Sequence, residues 1–171
     1  MKTILLHNGR TGALEGETLV NDEDYGWLMH WKWRRFKRRG NRRGAGTDYA
    51  YRREGDHVTQ VYVFMHRAIL GLTNSLAQGD HIDGNGLNNQ RANLRPATGA
   101  ENAQNSCAHA GSSSRYRGVS WCAHSRRWQA RVGHDGKTFY LGLYSTEQEA
   151  AEVALAKRLE IFPFAVLSLT R

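Results

Sequence analysis

The stretch 80–89, with the sequence DHIDGNGLNN, decides the fold and the chemistry that this chain is predicted to have. It begins with a carboxylate next to an imidazole, at Asp80 and His81, and continues into a loop rich in Gly and Asn. Because Gly and Asn tolerate positive φ, the segment 84–86 predicts a sharp turn. We therefore expect a strand that ends near His81 and a long loop after it.

A second strand and a helix are predicted to follow this loop. The segment 93–96 favours a short returning strand that ends at a proline. The segment 98–101 has the Thr-x-x-Glu pattern of a capping box, so a helix is expected to begin there with Asn102 on its first turn. A strand–loop–strand–helix unit of this kind brings Asn102 close to Asp80 and His81.

These residue types suit the hydrolysis of a phosphodiester. A neutral imidazole such as that of His81 accepts a proton from water at physiological pH. A carboxylate oxygen from Asp80 and an amide oxygen from Asn102 are hard ligands, which suit Mg²⁺ or Mn²⁺ better than Zn²⁺. We expect a divalent cofactor, with Mg²⁺ favoured, Mn²⁺ as the alternative and Zn²⁺ disfavoured. Two protein ligands leave positions on such an ion for water and phosphate oxygens.

The region of about 66–105 resembles the ββα-metal motif of HNH endonucleases. The resemblance is to the His-Asn-Asn branch, which occurs in phage and intron-encoded homing endonucleases. It implies that His81 is the general base and that Asp80 and Asn102 bind the metal ion. It also implies that Asn93 orients the base and braces the loop. Asn102 stands where many relatives carry His, which argues against zinc but not against a nuclease.

The same stretch has two other interpretations. In an EF-hand loop that began at Asp83, the position of the bidentate Glu would be Leu94, so that interpretation fails. A plain Asn/Gly hairpin without chemistry is the second alternative, and the combination of motif residues argues against it. For His66, the sequence leaves open a role in supporting the site or in packing a short helix, and we favour the structural role.

The composition indicates a polyanionic partner. The chain has 171 residues, 40% of them apolar, and a formal net charge of +8. Arginines are concentrated in a block at 34–53, where contact with phosphates and a solvated loop are equally consistent with the pattern. The candidate DNA contacts in this block are Arg34, Arg35, Arg38, Arg42 and Arg43.

The sequence also bears on the compartment and on disulfides. No apolar run is long enough to cross a bilayer, so no membrane partner is expected. The N-terminus is too short and polar for a signal peptide. We therefore expect a cytoplasmic protein, which the resemblance places in a phage-infected or mobile-element-bearing cell. Free thiols are favoured for Cys107 and Cys122, and a disulfide between them is the alternative.

The predicted fold class is α+β, with a β-rich N-terminal region that leads into the ββα-metal motif. The segment 108–114 loses all periodicity, and its Gly and Ser residues are typical of a flexible linker. After it we expect three short strands and a helix from about Thr146 to Phe162, opened by a capping box at 145–148. The predicted domains are a nuclease domain at 1–109 with its core at about 66–107, a linker at 110–114, and a second domain at 115–171.

The second domain resembles the AP2 domain, a three-stranded sheet packed on one helix. The resemblance covers roughly 114–167 and rests on the Tyr-Arg-Gly-Val segment 116–119, on Leu141-Gly142 and on Ala150-Ala151. AP2 domains place their sheet in the DNA major groove. Because side chains alternate along a strand, we expect one face of the sheet to expose candidate DNA contacts: Arg117, Trp121, Arg127 and Arg131. Lys137, in the third strand, is a further candidate.

Together these features predict a metal-dependent endonuclease that acts on double-stranded DNA and is targeted by its second domain. One active site per chain favours nicking, and a monomer is favoured over a dimer. The alternative is a non-catalytic, sequence-specific DNA-binding regulator. An RNA-binding protein with a decayed nuclease is a weaker third interpretation, because no RNA-stacking signature is present.

Overall fold

The computed structural model describes residues 1–37, 47–56, 58–104 and 111–165. The described chain is α+β, as the sequence predicts. It divides into two compact units, of which the first ends at Asn102 and the second begins at Ala103. No helix among the described residues is long and apolar enough to span a membrane. Several residues of the predictions lie outside the described ranges: Arg38, Arg42, Arg43, Cys107 and Ala110.

The first unit contains a mixed five-stranded sheet. Its strands are β1 (Lys2–His7), β2 (Leu14–Val20), β3 (Arg34–Phe36), β4 (Tyr49–Glu54) and β5 (Val61–Phe64). The order is β2-β1-β3-β4-β5, in which β1 and β3 are parallel and the other neighbours are antiparallel. Two short helices accompany it, α1 (Asp22–Leu28) and α2 (Met65–Ile69).

Apolar side chains from the sheet, α1 and α2 form the core of this unit. In β1 the side chains alternate, so that Ile4 and Leu6 are buried while Leu5 is exposed. Trp33 is 1% exposed, and its indole nitrogen donates to the carbonyl oxygen of Leu28 at 2.8 Å. Leu94, from the predicted returning strand, packs in the same cluster. The predicted site is thus anchored to the core of the sheet.

The predicted strand–loop–strand–helix unit is present. Its elements are β6 (Gln78–His81), β7 (Leu94–Ala97) and α3 (Gly99–Gln104), with one 3₁₀ turn at Arg91–Asn93. Strands β6 and β7 are antiparallel. The capping box of α3 is confirmed, because Thr98 N donates to Glu101 Oε2 at 2.7 Å and Glu101 N donates to Thr98 Oγ1 at 3.2 Å.

Two glycines shape the loop for different reasons. Gly84 has a φ of 74° and open space around its missing side chain. Gly86 does not have positive φ, but a Cβ there would clash with the carbonyl oxygen of Asp48 and lie 2.7 Å from Tyr49 Cδ1. The prediction that 84–86 turns on positive φ therefore holds at Gly84, whereas Gly86 allows the loop to approach β4 closely.

We expect Gly86→Ala to destabilise the first unit by about 1–3 kcal/mol or more, the range for overpacking against atoms that cannot move aside. Gly84→Ala is the matched control and is expected to cost about 1–2 kcal/mol, from backbone strain alone. Urea titrations followed by tryptophan fluorescence, to which the buried Trp33 of the first unit contributes, would compare the two. A larger loss for Gly84→Ala than for Gly86→Ala would contradict this account of the loop.

The second unit contains the predicted three strands and helix. They are β8 (Val119–Cys122), β9 (Arg127–His134), β10 (Lys137–Tyr144) and α4 (Glu147–Ile161). The sheet is antiparallel in the order β10-β9-β8, and small residues of α4 pack on it: Ala150, Ala151 and Ala154. Thr146 caps α4, and its capping box with Glu149 is complete.

The boundary between the units differs from the predicted linker. Ser114 is 4% exposed, and its hydroxyl donates to Glu147 Oε1 at 2.7 Å. Ser113 Oγ accepts from Trp121 N at 2.8 Å. The hydrogen bonds of their hydroxyl groups hold these two serines in the second unit. The Gly- and Ser-rich composition of the segment 108–114 instead predicts a flexible linker. The division between the two units instead falls within α3, between Asn102 and Ala103.

Candidate functional site

A chain of buried hydrogen bonds holds the imidazole of His81 at the end of β6. His81 is 5% exposed, and its Nε2 lies 3.1 Å from Asn89 Oδ1. Asn89 is fully buried, and its Nδ2 donates to Thr18 Oγ1 at 2.7 Å. The Thr18 hydroxyl in turn donates to the carbonyl oxygen of Leu87 at 2.7 Å. The ring is therefore oriented by β2 and by the loop.

This chain of hydrogen bonds determines the tautomer of His81. The carbonyl oxygen of Leu87 only accepts, so it takes the single proton of the Thr18 hydroxyl. Thr18 must then accept from Asn89, which turns Asn89 Oδ1 toward the ring. Nε2 of His81 consequently carries a proton, and the lone pair of the neutral imidazole is on Nδ1.

Burial also keeps this ring neutral. Loss of solvent lowers the pKa of His81 below its ordinary value, because a charged imidazolium is disfavoured in an apolar surrounding. The hydrogen bond with Asn89 and the charges of Asp83 and Asp80 oppose this shift in pKa, but the net direction is down. At neutral pH the imidazole is therefore unprotonated at one nitrogen and able to accept a proton.

Asn93 braces the loop between β6 and β7. Its Nδ2 donates to Asp83 Oδ1 at 2.9 Å and to the carbonyl oxygen of Asn88 at 2.8 Å. Its Oδ1 accepts from the backbone N–H of Asp83 at 3.0 Å. The resemblance implied that Asn93 both braces the loop and orients the base. The hydrogen bond to the ring of His81 described above comes from Asn89.

The loop is also tied to the N-terminal hairpin. Leu19 N donates to the carbonyl oxygen of Leu87 at 2.9 Å, and Asn89 N donates to that of Leu19 at 2.8 Å. Next to these bonds, the guanidinium of Arg91 donates to both carboxylate oxygens of Asp24, at 2.8 and 2.7 Å. Backbone pairing and a bidentate ion pair thus fix the loop from outside the motif.

The carboxylate of Asp80 pairs with an arginine from the neighbouring strand. Asp80 lies opposite Arg95 in the β6–β7 register and is 5% exposed. Arg95 donates to Asp80 Oδ2 from Nε at 2.9 Å and from Nη2 at 2.7 Å. A buried carboxylate is stabilised when a charged partner is held at hydrogen-bond distance.

Asn102 is oriented by a second amide. Its Nδ2 donates to Gln78 Oε1 at 2.8 Å, which turns its amide oxygen away from Gln78. Within the described residues, that oxygen makes no hydrogen bond. The chemistry of this donor set fits a divalent ion, because Asp80 supplies a carboxylate and Asn102 an amide oxygen. No group of three or more His, Cys, Asp or Glu side chains suited to a metal ion is found among the described residues.

His66 lies against the imidazole of His81. The two ring centroids are 4.9 Å apart, with the planes at 70°. His66 is 7% exposed, and its Nδ1 has no hydrogen-bond partner among the described residues. A Cβ at Gly79 would lie 2.5 Å from its Cδ2, so the glycine in β6 makes room for this ring. His66 therefore packs α2 against the site, close to the candidate base.

Burial lowers the pKa of His66 from 6.5 to about 3, with smaller contributions from the neighbouring His81 and Arg67. The folded protein keeps this ring neutral, whereas the unfolded chain binds a proton near pH 6.5. The free energy of unfolding should therefore fall as the pH decreases from 6.5 toward 3, by about 1.4 kcal/mol per pH unit for this group. The lowered pKa of His81 acts in the same direction.

This dependence is testable in the window from about pH 6.5 to about pH 4.5. Below it, carboxylates whose pKa is lowered by hydrogen bonds also lose stabilisation: Glu15, Asp22, Asp56 and Glu101. We expect His66→Gln to reduce the slope of unfolding free energy against pH, measured by urea titration. The same replacement at the exposed His124 is the control, and an unchanged slope for His66→Gln would refute the assignment.

The predicted arginine contacts in the first unit take different positions. Both Arg34 and Arg35 lie in β3 and are half-buried. Arg35 is paired with Asp48, to which its Nε donates at 2.8 Å, and its Nη1 donates to the carbonyl oxygen of Glu15 at 2.6 Å. Its guanidinium thus joins segments of its own unit.

The strand register separates the predicted contacts of the second unit. Trp121 pairs with Trp128, and their rings are 5.1 Å apart, on the face that carries Ala130 and α4. Because side chains alternate along a strand, the exposed Arg127 and Arg131 point to the opposite face. The expectation that Trp121 shares their face is therefore wrong.

The remaining two predicted contacts lie at strand ends. Arg117 precedes β8, and its Nη1 donates to the carbonyl oxygens of Ala103 at 2.6 Å and Gln104 at 3.2 Å. This side chain therefore binds the end of α3 within the second unit. Lys137 is exposed at the start of β10, directly after a tight turn at Asp135 and Gly136 with positive φ at both residues.

Comparison with protein-family models, curated proteins and solved structures finds no match for this chain. The assignment of function consequently depends on the residues and their geometry.

Three residues of the site are absent from the predictions made from sequence. Thr18 and Asn89 orient the ring of His81, and Arg95 pairs with Asp80. Only for Asn89 does the sequence carry a signal, as the second of two asparagines at the end of the loop. Thr18 has none, because its partner Asn89 is 71 residues away along the chain.

Proposed function

We propose that this protein is a metal-dependent endonuclease of the HNH type, which hydrolyses phosphodiester bonds in double-stranded DNA. The observation that carries the proposal is the buried imidazole of His81, neutral and held in one tautomer, next to the carboxylate of Asp80. An inert hairpin needs neither group. Burying polar side chains costs free energy, so two consecutive buried polar residues at the end of β6 favour a chemical role.

In this mechanism His81 accepts a proton from a water molecule at Nδ1, and the resulting hydroxide attacks the phosphorus. Asn89 keeps the proton at Nε2, so the basic nitrogen stays the same through each turnover. Asp80 and Asn102 would hold one Mg²⁺ ion, or Mn²⁺ as the alternative. When bound, such an ion stabilises negative charge on the phosphate and on the departing 3′ oxygen. The products would carry 5′-phosphate and 3′-hydroxyl ends.

Arg95 and Asn93 assist without taking part in proton transfer. Arg95 brings a guanidinium to the carboxylate of Asp80, and guanidinium groups bind phosphate oxygens well. Asn93 keeps the loop closed through three hydrogen bonds, so that His81 and Asp80 stay in register at the end of β6. Rigid support of this kind matters because small displacements of a base reduce the rate steeply.

We further propose that the second unit is an AP2-like domain that binds DNA. Its three-stranded sheet backed by one helix supports this, as do Arg127 and Arg131 on the face away from the helix. Outward arginines on a sheet bind phosphates or guanine edges. A single site per chain favours a monomer that nicks one strand.

The test is incubation of supercoiled plasmid with the full chain and Mg²⁺ or Mn²⁺, with EDTA as the control. We expect nicked circles only where the ion is present. The alternative function is a non-catalytic DNA-binding regulator, which the exposed Arg127 and Arg131 also favour. It predicts a mobility shift of the DNA without any nicked product.

A further inference from the structure

A cavity of about 330 Å³ in the first unit directly adjoins the proposed site. One part of its lining is aromatic and the other is polar. The lining residues are Phe36, Tyr49, Phe64, His66, Arg67, Gln78, Gly79 and Asn102. Since Asn102 is also a proposed metal ligand, whatever fills the cavity lies beside the reacting phosphate.

The aromatic lining is a set of rings that fix one another. The ring centroid of Phe64 lies 5.6 Å from that of Phe36 and 6.0 Å from that of Tyr49, and both pairs are edge-to-face. The ring centroids of Tyr49 and His66 are 5.5 Å apart. Phe36 is 37% exposed, so a large aromatic side chain stays accessible beside the site. Rings held in this way offer flat faces for stacking without further loss of side-chain freedom.

The polar lining provides hydrogen-bonding groups and one fixed charge. Asn102 and Gln78 present a pair of amides that are joined by a hydrogen bond. Arg67 donates to carbonyl oxygens in the segment after α2, at 2.5 Å to Ala77 and 2.8 Å to Asn74, which fixes its charge in place. The ring of His66 also lines the cavity.

We propose that this cavity binds one unstacked nucleobase of the DNA strand that is cut, next to the scissile phosphate. The proposal rests on the nuclease function for the position of that base. A planar heterocycle with a polar edge matches flat aromatic faces and paired amides. The volume lies at the lower end of the range for small-ligand pockets, which suits a single base. Substrates with an unpaired nucleotide at the cut would bind best, since they have no base pair to open.

Binding to two single strands of equal length and charge tests this directly. One is a fluorescently labelled 12-mer of thymidine, and the other carries abasic sugars throughout. Phosphate contacts are the same for both strands, so their difference in affinity reports on the bases. In EDTA, we expect the full chain to bind the thymidine strand about 5- to 100-fold more tightly, the effect of stacking one base.

Phe36→Leu keeps apolar volume but removes the ring, and it should lose most of this preference for bases. Tyr62→Ala is the matched control, because Tyr62 is an exposed aromatic residue of the same sheet that does not line the cavity. Thermal melting would verify that both variants fold. Equal affinities of the wild type for the two strands, or an unchanged preference in Phe36→Leu, would overturn the proposal.

Plasmid cleavage assayed in parallel separates this proposal from the nuclease function. If the wild type cleaves DNA but Phe36→Leu keeps its preference for bases, the cavity proposal is wrong and the nuclease stands. If the preference depends on Phe36 but no ion supports cleavage, the cavity binds a base and the nuclease assignment is wrong.

Discussion

Replacing His81 with Ala is expected to lower the rate of DNA cleavage by roughly 10²- to 10⁴-fold, the usual contribution of a general base. Affinity for DNA should remain nearly unchanged, because the imidazole acts on water and not on the bound DNA. Single-turnover cleavage and a binding titration in EDTA would measure the two effects separately. Wild-type rates in the variant would exclude His81 as the base.

The ring is buried, so a loss of stability must be separated from a loss of chemistry. His81→Ala leaves the buried Oδ1 of Asn89 without its donor, which costs about 1–3 kcal/mol. His81→Gln is the matched variant, since its amide can still donate to Asn89 but cannot act as a base at neutral pH. A variant with the same replacement at the exposed His124 is the control for the effects of mutation and purification, and it should cleave DNA normally.

Asn89→Ala extends this test to the group that orients the ring. The imidazole would remain but would lose the hydrogen bond that keeps its proton on Nε2. We expect a smaller loss of rate than for His81→Ala, about 10- to 100-fold, as for other residues that orient a functional histidine. A rate equal to that of the wild type would show that the hydrogen bond has no role in catalysis.

Loss of either proposed metal ligand should produce the second largest effect. For Asp80→Asn and Asn102→Ala, we expect the ion concentration needed for half-maximal cleavage to rise by more than about 100-fold. Residues that only support a metal ligand already contribute 10- to 100-fold, so removing one of two protein ligands should exceed this. Cleavage measured over a series of Mg²⁺ and Mn²⁺ concentrations gives the shift.

Controls for this experiment use the same chemical change elsewhere. Asp135→Asn alters an exposed carboxylate in a turn of the second unit and should leave the ion dependence unchanged. Because Asp80 is paired with Arg95, melting curves must show that Asp80→Asn remains folded. Asn102→His is expected to retain activity and to shift the preference toward softer metals. Normal cleavage by both ligand variants at low Mg²⁺ would refute the ligand set.

Much of the local structure was predictable from sequence, because its causes lie within a few residues. The Thr-x-x-Glu pattern at 98–101 forms a complete capping box at the start of α3, as predicted. The second capping box, predicted at 145–148, forms one residue later, between Thr146 and Glu149. The strands on either side of the loop are also present, although β7 runs from Leu94 to Ala97 and so continues past Pro96, where the pattern ends it. In each case, the groups that stabilise the element are neighbours in the chain.

The predictions failed where the outcome depends on pairing across the sheet or between distant segments. Trp121 faces the helix side because its strand pairs with Trp128, a register that its own residues do not specify. Ser114 is buried because Glu147, from a later helix, accepts its hydroxyl proton. The Gly- and Ser-rich composition of its segment alone predicts that Ser114 belongs to a linker.

At the candidate site, the sequence by itself indicated the groups that we propose to be reactive: the adjacent Asp80 and His81, and Asn102 on the first turn of a capped helix. Their spacing within one short unit makes them recognisable. Only the tertiary structure decided which nitrogen of His81 is basic, because that follows from Thr18, on a strand 71 residues from Asn89. A hydrogen bond between distant segments forms only after the chain has folded, so no local pattern records it.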